Sequence, residues 1–213
     1  PLNRHVNAIS GRLSLRPPQR RISLEILQRI TEIAPPGKDT DSAALLAAIQ
    51  SEFASVTDFE HEFPSLCFAL ATGVGKTRLM GAFISYLYLD HGIGNFFVLA
   101  PNLTIYNKLT ADFTPNTPKY VFKGIAEFAV NPPTVITGDT YESGVGVRET
   151  YRQQTSLFPE LDGVHINIFN ISKINSEVRG GKSPRIKRLS EYIGESYFDY
   201  LAGLPDLVLL MDE

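Results

Sequence analysis

The sequence has few of the residues that build disulfide, metal or membrane sites. Its 213 residues include one cysteine, Cys67, which excludes an intramolecular disulfide and a cysteine-ligated zinc site. The four histidines, His5, His61, His91 and His165, show no metal-ligand spacing. No apolar stretch reaches the roughly 18 residues that a membrane-spanning helix needs, and no signal-peptide pattern opens the chain. We therefore expect a cytoplasmic protein without a membrane partner, with Cys67 buried in a strand.

The chain also lacks a net positive charge. Its formal charge is −3, so no overall basic field indicates nucleic-acid binding. Locally, residues 173–188 contain six lysines and arginines against one glutamate, Glu177. Such a segment either neutralises nucleic-acid phosphates without reading sequence or is a solvated basic surface. Both interpretations stay open.

Short apolar runs alternate with helical patterns along the chain. Strands are predicted over residues 66–70, 96–100, 134–137, 164–171 and 206–211. Helices are predicted over residues 19–34, 42–54, 77–90, 102–113 and 184–192. Unbroken apolar runs are typical of strands buried on both faces. The alternation therefore predicts an α/β fold with a mostly parallel sheet covered by helices on both faces.

Several local signals refine this organisation. Asp41 or Ser42 is predicted to cap the second helix, and Asn102 the fourth. The first helix is expected to bury an apolar face from Ile22 to Ile33. We expect a helical N-terminal extension over residues 1–60 and a nucleotide-binding domain over residues 61–213. The chain begins without methionine and stops directly after an apolar run, so we expect a fragment.

A glycine-rich segment joins the strand predicted at 66–70 to the next helix. Phosphate groups need backbone N–H groups at close range, and glycine permits the required turns. The following helix N-terminus adds partial positive charge. Lys76 is expected to reach the β- and γ-phosphates of ATP, and Thr77 to hold Mg²⁺. The remaining predicted nucleotide contacts are Thr72, Gly73, Val74, Gly75 and Arg78.

This segment departs from the full phosphate-loop pattern at one position. Leu70 stands where that pattern has its first glycine. The alternative interpretation is a glycine-rich strand-to-helix turn without a ligand.

An acidic pair, Asp212-Glu213, follows the last apolar run. Ligands of α/β sheets bind at the carboxyl ends of the strands. Asp212 is therefore expected to hold Mg²⁺ through water, and Glu213 to orient or deprotonate the attacking water. Lys76, Asp212 and Glu213 are the predicted catalytic residues. The alternative is a solvated acidic turn at the end of a strand.

Together these segments resemble superfamily two helicases and translocases. Residues 70–77 resemble motif I, whose first glycine is often missing in that superfamily, and residues 211–213 resemble the start of the DE-x-H motif II. Within the superfamily the resemblance is strongest to the Res-like ATPase of type III restriction enzymes and related DEAD/DEAH proteins, over roughly residues 13–213. It implies the first RecA-like domain of a motor that couples ATP hydrolysis to translocation or strand separation.

The resemblance also implies further contacts. Residues 15–19 resemble the segment whose glutamine reads adenine, with Pro18 in place of its usual tyrosine; this makes Gln19 a nucleotide contact, the alternative being an exposed glutamine at a helix start. Residues 99–102 resemble motif Ia, and residues 168–171 lie where the family has a strand and loop facing nucleic acid. The implied nucleic-acid contacts, including basic residues of the 173–188 segment, are Pro101, Asn102, Asn170, Lys173, Arg179 and Lys182.

The family completes its site with a second RecA-like domain, whose arginines are worth orders of magnitude in rate. We therefore predict that this chain binds ATP but hydrolyses it slowly alone. The implied partners are nucleic acid, with DNA favoured although the residues do not distinguish it from RNA, and a methyltransferase subunit. The alternatives are an ATPase acting on protein, a nucleotide-binding regulatory module without useful turnover, and a small-molecule kinase.

Overall fold

The computed structural model describes residues 3–37, 41–143, 163–174, 184–188 and 195–212, apart from the side chains of Lys173 and Arg185. The chain forms two compact units, residues 1–91 and residues 92–213. The domain boundary that we place between residues 60 and 61 stays a prediction. None of the helices in the described ranges is long and apolar enough to cross a membrane.

The N-terminal unit is built from helices. In chain order they are α1 (Arg4–Arg12), a π-helix (Pro18–Leu24), α2 (Glu25–Ile33), α3 (Ser42–Glu52) and α4 (Lys76–His91). Asp41 caps α3 by accepting a hydrogen bond from the backbone N–H of Ala43 at 2.9 Å, which confirms the predicted cap. Helix α1 was not predicted. It packs against α4, and the π-helix packs against both α4 and α2.

The π-helix changes which side chains the first predicted helix buries. The backbone N–H of Glu25 donates to the carbonyl of Arg20, five residues earlier, so this turn is wider than an α-helical turn. The wider turn shifts the phase of the helical face. Leu24 and Leu27 are buried, whereas Ile22 is 64% exposed. The prediction that Ile22 belongs to the buried face is therefore wrong.

The apolar run at residues 66–70 does not form a strand. Cys67 is exposed, and Leu66 is 43% exposed. A strand requires a neighbour that pairs with its backbone N–H and C=O groups, and no described ladder includes this run. One contact of this run is made by Phe68, whose ring centroid lies 4.9 Å from that of Phe83 on α4. Both the strand prediction and the burial predicted for Cys67 are wrong.

The C-terminal unit contains a four-stranded sheet. Its strands are β1 (Asn95–Ala100), β2 (Thr134–Thr137), β3 (His165–Asn170) and β4 (Leu207–Met211). All the strand pairs are parallel, and the order across the sheet is β2-β3-β1-β4. The four strands predicted in this part of the sequence are confirmed, as is the parallel pairing. Strand β4 lies at the end of this order, next to β1.

Short helices connect and cover the strands. They are α5 (Leu103–Phe113), α6 (Ala126–Val130), α7 (Ile171–Ile174) and α8 (Tyr197–Gly203), with single 3₁₀ turns at Tyr141–Ser143 and Arg185–Lys187. Every residue of β3 is buried, so both faces of the sheet are covered there. The helix predicted over 184–192 begins as the second 3₁₀ turn, and residues 189–194 lie outside the described ranges.

Two polar clamps fix the strands of this sheet. At the amino ends, the carboxylate of Asp206 accepts hydrogen bonds from the backbone N–H of Gly94 at 2.7 Å and from the Asn95 amide at 2.6 Å. In the interior, the Asn167 amide donates to the carbonyl of Phe96 at 3.2 Å and accepts from the Tyr197 hydroxyl. Burial raises the pKa of Tyr197, so this hydroxyl keeps its proton and remains a donor.

Candidate functional site

The glycine-rich segment forms an irregular turn that leads directly into α4. Gly73 has φ +82° and Gly75 has φ +95°. Residues with a Cβ atom rarely adopt this region, because the side chain collides with the backbone. The spacing of the two glycines is therefore a requirement of the turn.

Helix α4 begins at Lys76 and is 16 residues long. Thr77 is 8% exposed, whereas Thr72 and Arg78 are exposed. The backbone N–H groups of a first helical turn and the helix dipole favour an anion at this end. The Lys76 ammonium adds a full positive charge to the same turn. The arrangement is chemically suited to holding phosphate.

Gln19 belongs to the same unit and contacts the loop. Its side chain is 1% exposed, so the alternative of an exposed helix-start glutamine is wrong. The amide nitrogen donates to the carbonyl of Gly75 at 2.9 Å, and the amide oxygen accepts from the backbone N–H of Arg16 at 2.8 Å. Neither partner was predicted from the sequence, because each contact depends on the fold of residues 16–24.

In the C-terminal unit, Asp212 follows β4 and is half-buried. Its backbone N–H donates to the carbonyl of Leu99 at 3.3 Å. Strands β4 and β1 are parallel neighbours, so Asp212 lies at the same carboxyl edge as Pro101 and Asn102. This is the edge where α/β sheets bind ligands. Glu213 lies outside the described residues.

The predicted nucleic-acid contacts differ in their exposure. Pro101 and Asn102 are exposed, and the Asn102 side chain caps α5 by accepting from the N–H of Ile105 at 3.0 Å, which confirms that cap. Asn170 is only 3% exposed, and its side chain accepts from the N–H of Ser172 at 2.7 Å. Arg179, Lys182 and the side chain of Lys173 lie outside the described residues.

The oxygen-bearing side chains of these residues determine whether Mg²⁺ could bind here. Within the described ranges, no three His, Cys, Asp or Glu side chains cluster in a way that would hold a metal ion. In phosphate-transfer sites, however, Mg²⁺ takes only one or two carboxylates and completes its shell with substrate phosphates and water. A single carboxylate such as Asp212, or a hydroxyl such as Thr77, is compatible with Mg²⁺ that arrives with a phosphate ligand.

A protein-family model matches most of the chain. The model of the family described as type III restriction enzyme, res subunit, matches residues 12–213. No curated protein and no solved structure matches the chain. The domain of this family has a RecA-like P-loop fold and is typical of superfamily two helicases, which confirms both the predicted fold class and the predicted resemblance.

Proposed function

Because the chain belongs to the type III restriction enzyme res subunit family, we propose that it is an ATP-binding motor domain that hydrolyses ATP with Mg²⁺ when joined to a second RecA-like domain. The family consists of helicase-type ATP-binding domains, and the finer assignment rests on the loop. One observation carries it: Gly73 and Gly75 both adopt left-handed backbone conformations directly before the helix that begins at Lys76.

The proposed roles follow from the chemistry of the loop. The backbone N–H groups from Thr72 to Arg78 would hold the phosphates, and the Lys76 ammonium would contact the β- and γ-phosphate oxygens. The glycines at 73 and 75 permit this approach because they carry no side chain. Thr77, in the first turn of α4, would offer its hydroxyl as a cation ligand.

The acidic pair supplies the remaining groups. When bound, Mg²⁺ neutralises negative charge on the phosphate oxygens. Asp212 would hold the cation through water. Glu213 would orient the attacking water and accept its proton as the oxygen attacks the γ-phosphorus and the bond to ADP breaks. The place of Asp212 at the carboxyl edge of the sheet supports its role.

Turnover by this chain alone is expected to be slow. Arginines that stabilise the transition state are worth about 10³–10⁵ in rate, and the family supplies them from a second RecA-like domain. We propose that this domain, and a methyltransferase subunit, are partners of the chain.

We propose DNA as the polymer on which the motor acts. Pro101 and Asn102 are exposed at the carboxyl edge, and residues 173–188 carry six positive charges against one negative charge; Lys173, Arg179 and Lys182 are the proposed phosphate contacts there. Asn170 is left out of this surface, because it is buried and hydrogen-bonded to Ser172.

Calorimetric titration of the purified chain with ATP and Mg²⁺ tests the nucleotide site. We expect saturable binding that falls about 10- to 100-fold in Lys76→Ala, because a hydrogen bond to a charged group contributes about 1.5–3 kcal/mol. Lys119→Ala, which removes an exposed lysine from the other unit, is the matched control and should bind normally. Equal binding by the Lys76 variant would contradict the proposal.

Steady-state hydrolysis separates the competing functions. Glu213→Gln should abolish the residual turnover while sparing ATP binding. Hydrolysis by the full-length protein, with its second RecA-like domain, should be stimulated by single- or double-stranded DNA. Stimulation by neither polymer would favour a motor that acts on protein. ATP binding without any turnover that Glu213→Gln removes would favour a regulatory module without useful catalysis.

A further inference from the structure

The buried side chain of Gln19 connects two backbone segments, one at Arg16 and one at Gly75. Its amide oxygen accepts from the N–H of Arg16, and its amide nitrogen donates to the carbonyl of Gly75. Both ends of the side chain are thus held by the chain itself. A glutamine that reads a base would present the same two atoms to the ligand, so this arrangement favours a different role.

The contact with Gly75 is close as well as polar. A Cβ atom built on Gly75 would lie 2.9 Å from the Gln19 amide nitrogen, which is closer than Cβ atoms normally approach other atoms. The same carbonyl of Gly75 also accepts the first hydrogen bond of α4, from the N–H of Leu79 at 3.1 Å. Gln19 therefore contacts the residue at which the loop ends and α4 begins.

The π-helix determines where this side chain is presented. Gln19 lies in its first turn, and the Ser23 hydroxyl donates to the carbonyl of Pro18 at 3.2 Å within the same segment. The segment packs against α4, the helix that begins at the loop. Turns of this width are uncommon and occur frequently at functional sites.

We propose that Gln19 is a positioning residue of the phosphate loop: by holding the carbonyl of Gly75 it fixes the loop in the conformation that accepts a triphosphate, whatever base is attached. The inference rests on the proposed nucleotide-binding function. It assigns to Gln19 a contribution to phosphate affinity in place of a contribution to adenine recognition.

The test compares three ligands that share the triphosphate and differ in the base. Affinities for ATP, GTP and inorganic tripolyphosphate, each with Mg²⁺, are measured by calorimetry for the natural chain and for Gln19→Met. The methionine fills the space without donating a hydrogen bond. We expect all three affinities to fall together by about 3- to 10-fold, the range that the loss of one neutral hydrogen bond produces.

A second variant and a matched control isolate the contact. Gln19→Glu keeps an acceptor for the N–H of Arg16 but, when ionised, has no proton for the Gly75 carbonyl; it should show the same base-independent loss. Gln28 is also a buried glutamine of this unit, 4% exposed, and donates to Glu32 on α2 at 2.7 Å. Gln28→Met should lower the melting temperature without changing any of the three affinities.

Three results would overturn the inference. A loss confined to ATP would show that Gln19 reads adenine. Unchanged affinities in both Gln19 variants would show that Gln19 does not position the loop. Equal losses of affinity in Gln28→Met would show that the losses in the Gln19 variants come from general destabilisation of the unit. If the natural chain binds none of the three ligands, the nucleotide-binding function itself fails, and this outcome is distinct from the others.

Discussion

The phosphate loop and the carboxyl edge of the sheet present their functional groups in different ways. The loop is an irregular turn whose form depends on two left-handed glycines and on one buried amide, that of Gln19. The sheet edge is the end of paired parallel strands, and Asp212 is held there by the ladder between β4 and β1. Function in the loop therefore depends on single atoms, whereas function at the edge depends on cooperative pairing.

Within the loop, the largest effect on stability is expected at Gly75. Gly75→Ala combines a left-handed backbone, which costs about 1–2 kcal/mol with a Cβ atom, with a contact 2.9 Å from the Gln19 amide. Gly73→Ala carries only the backbone cost, because no atom lies within 4 Å of its Cβ position. Thermal unfolding should rank the Gly75 variant as the less stable.

Gly11 provides the control for these two substitutions. It lies in α1, and its Cβ position is also open, so Gly11→Ala should be stabilising by about 0.5–1 kcal/mol. Equal unfolding temperatures for the Gly73 and Gly75 variants would show that the Gln19 amide causes no steric conflict with a side chain at position 75.

The next effect concerns the strands that support the carboxyl edge. Asp206→Ala removes the carboxylate that joins Gly94 and Asn95 to the start of β4 and should destabilise the C-terminal unit by about 1.5–3 kcal/mol. Asp206→Asn keeps one acceptor and should lose less. Denaturant unfolding measures both, and ATP affinity should stay unchanged in each. A larger effect on ATP affinity than on the free energy of unfolding would contradict the interpretation that Asp206 supports the sheet and takes no part in nucleotide binding.

A smaller effect is expected at one helix cap in each unit. Asp41→Ala removes the cap of α3 and Asn102→Ala that of α5; each should cost about 1 kcal/mol. Hydrogen exchange should show the loss of protection in the helix whose cap is removed. Ser51→Ala, an exposed change near the end of α3, should have almost no effect. Loss of protection in both helices from either variant would contradict this expectation.

The smallest effect is a dependence of stability on pH. Burial lowers the pKa of His91, only partly opposed by the charges of Asp90 and Glu32. The unfolded chain therefore binds a proton more readily, so stability should be complete above the ordinary value of 6.5 and fall as the pH drops towards the lowered pKa. Urea unfolding at several pH values measures this slope.

His91→Phe isolates that contribution. The phenylalanine keeps a ring against Tyr86, whose centroid lies 5.4 Å from the His91 ring, but it does not titrate. The variant should flatten the slope at pH values below the ordinary pKa of 6.5. A slope as steep as that of the natural chain would assign the pH dependence to other groups.

Most of the sheet could be predicted from the sequence, because its apolar runs pair with one another. The runs at residues 96–100 and 66–70 show the limit of that approach. Both contain five apolar residues. The first run is paired on one side with β3 and on the other with β4, whereas the second run belongs to none of the described strand ladders. Hydrophobicity favours burial, and pairing depends on the fold around the strand.

The loop was predictable because its chemistry is local. Glycine spacing, the lysine and the helix start lie within a few residues of one another, and the two positive φ angles agree with them. The partner of the Gln19 side chain was not predictable, since 56 residues separate Gln19 from Gly75. That contact requires both a π-helical turn and the packing of this turn against α4.

Strand β4 is an edge strand of the sheet that the described residues form. In the described sheet β4 pairs only with β1, and two of its apolar side chains, Leu209 and Met211, are 44% and 54% exposed. Parallel strands are ordinarily buried, and a bare apolar border is a template on which another chain adds. Within the described sheet, the strand that brings Asp212 to the carboxyl edge is therefore also the strand with the most exposed apolar side chains.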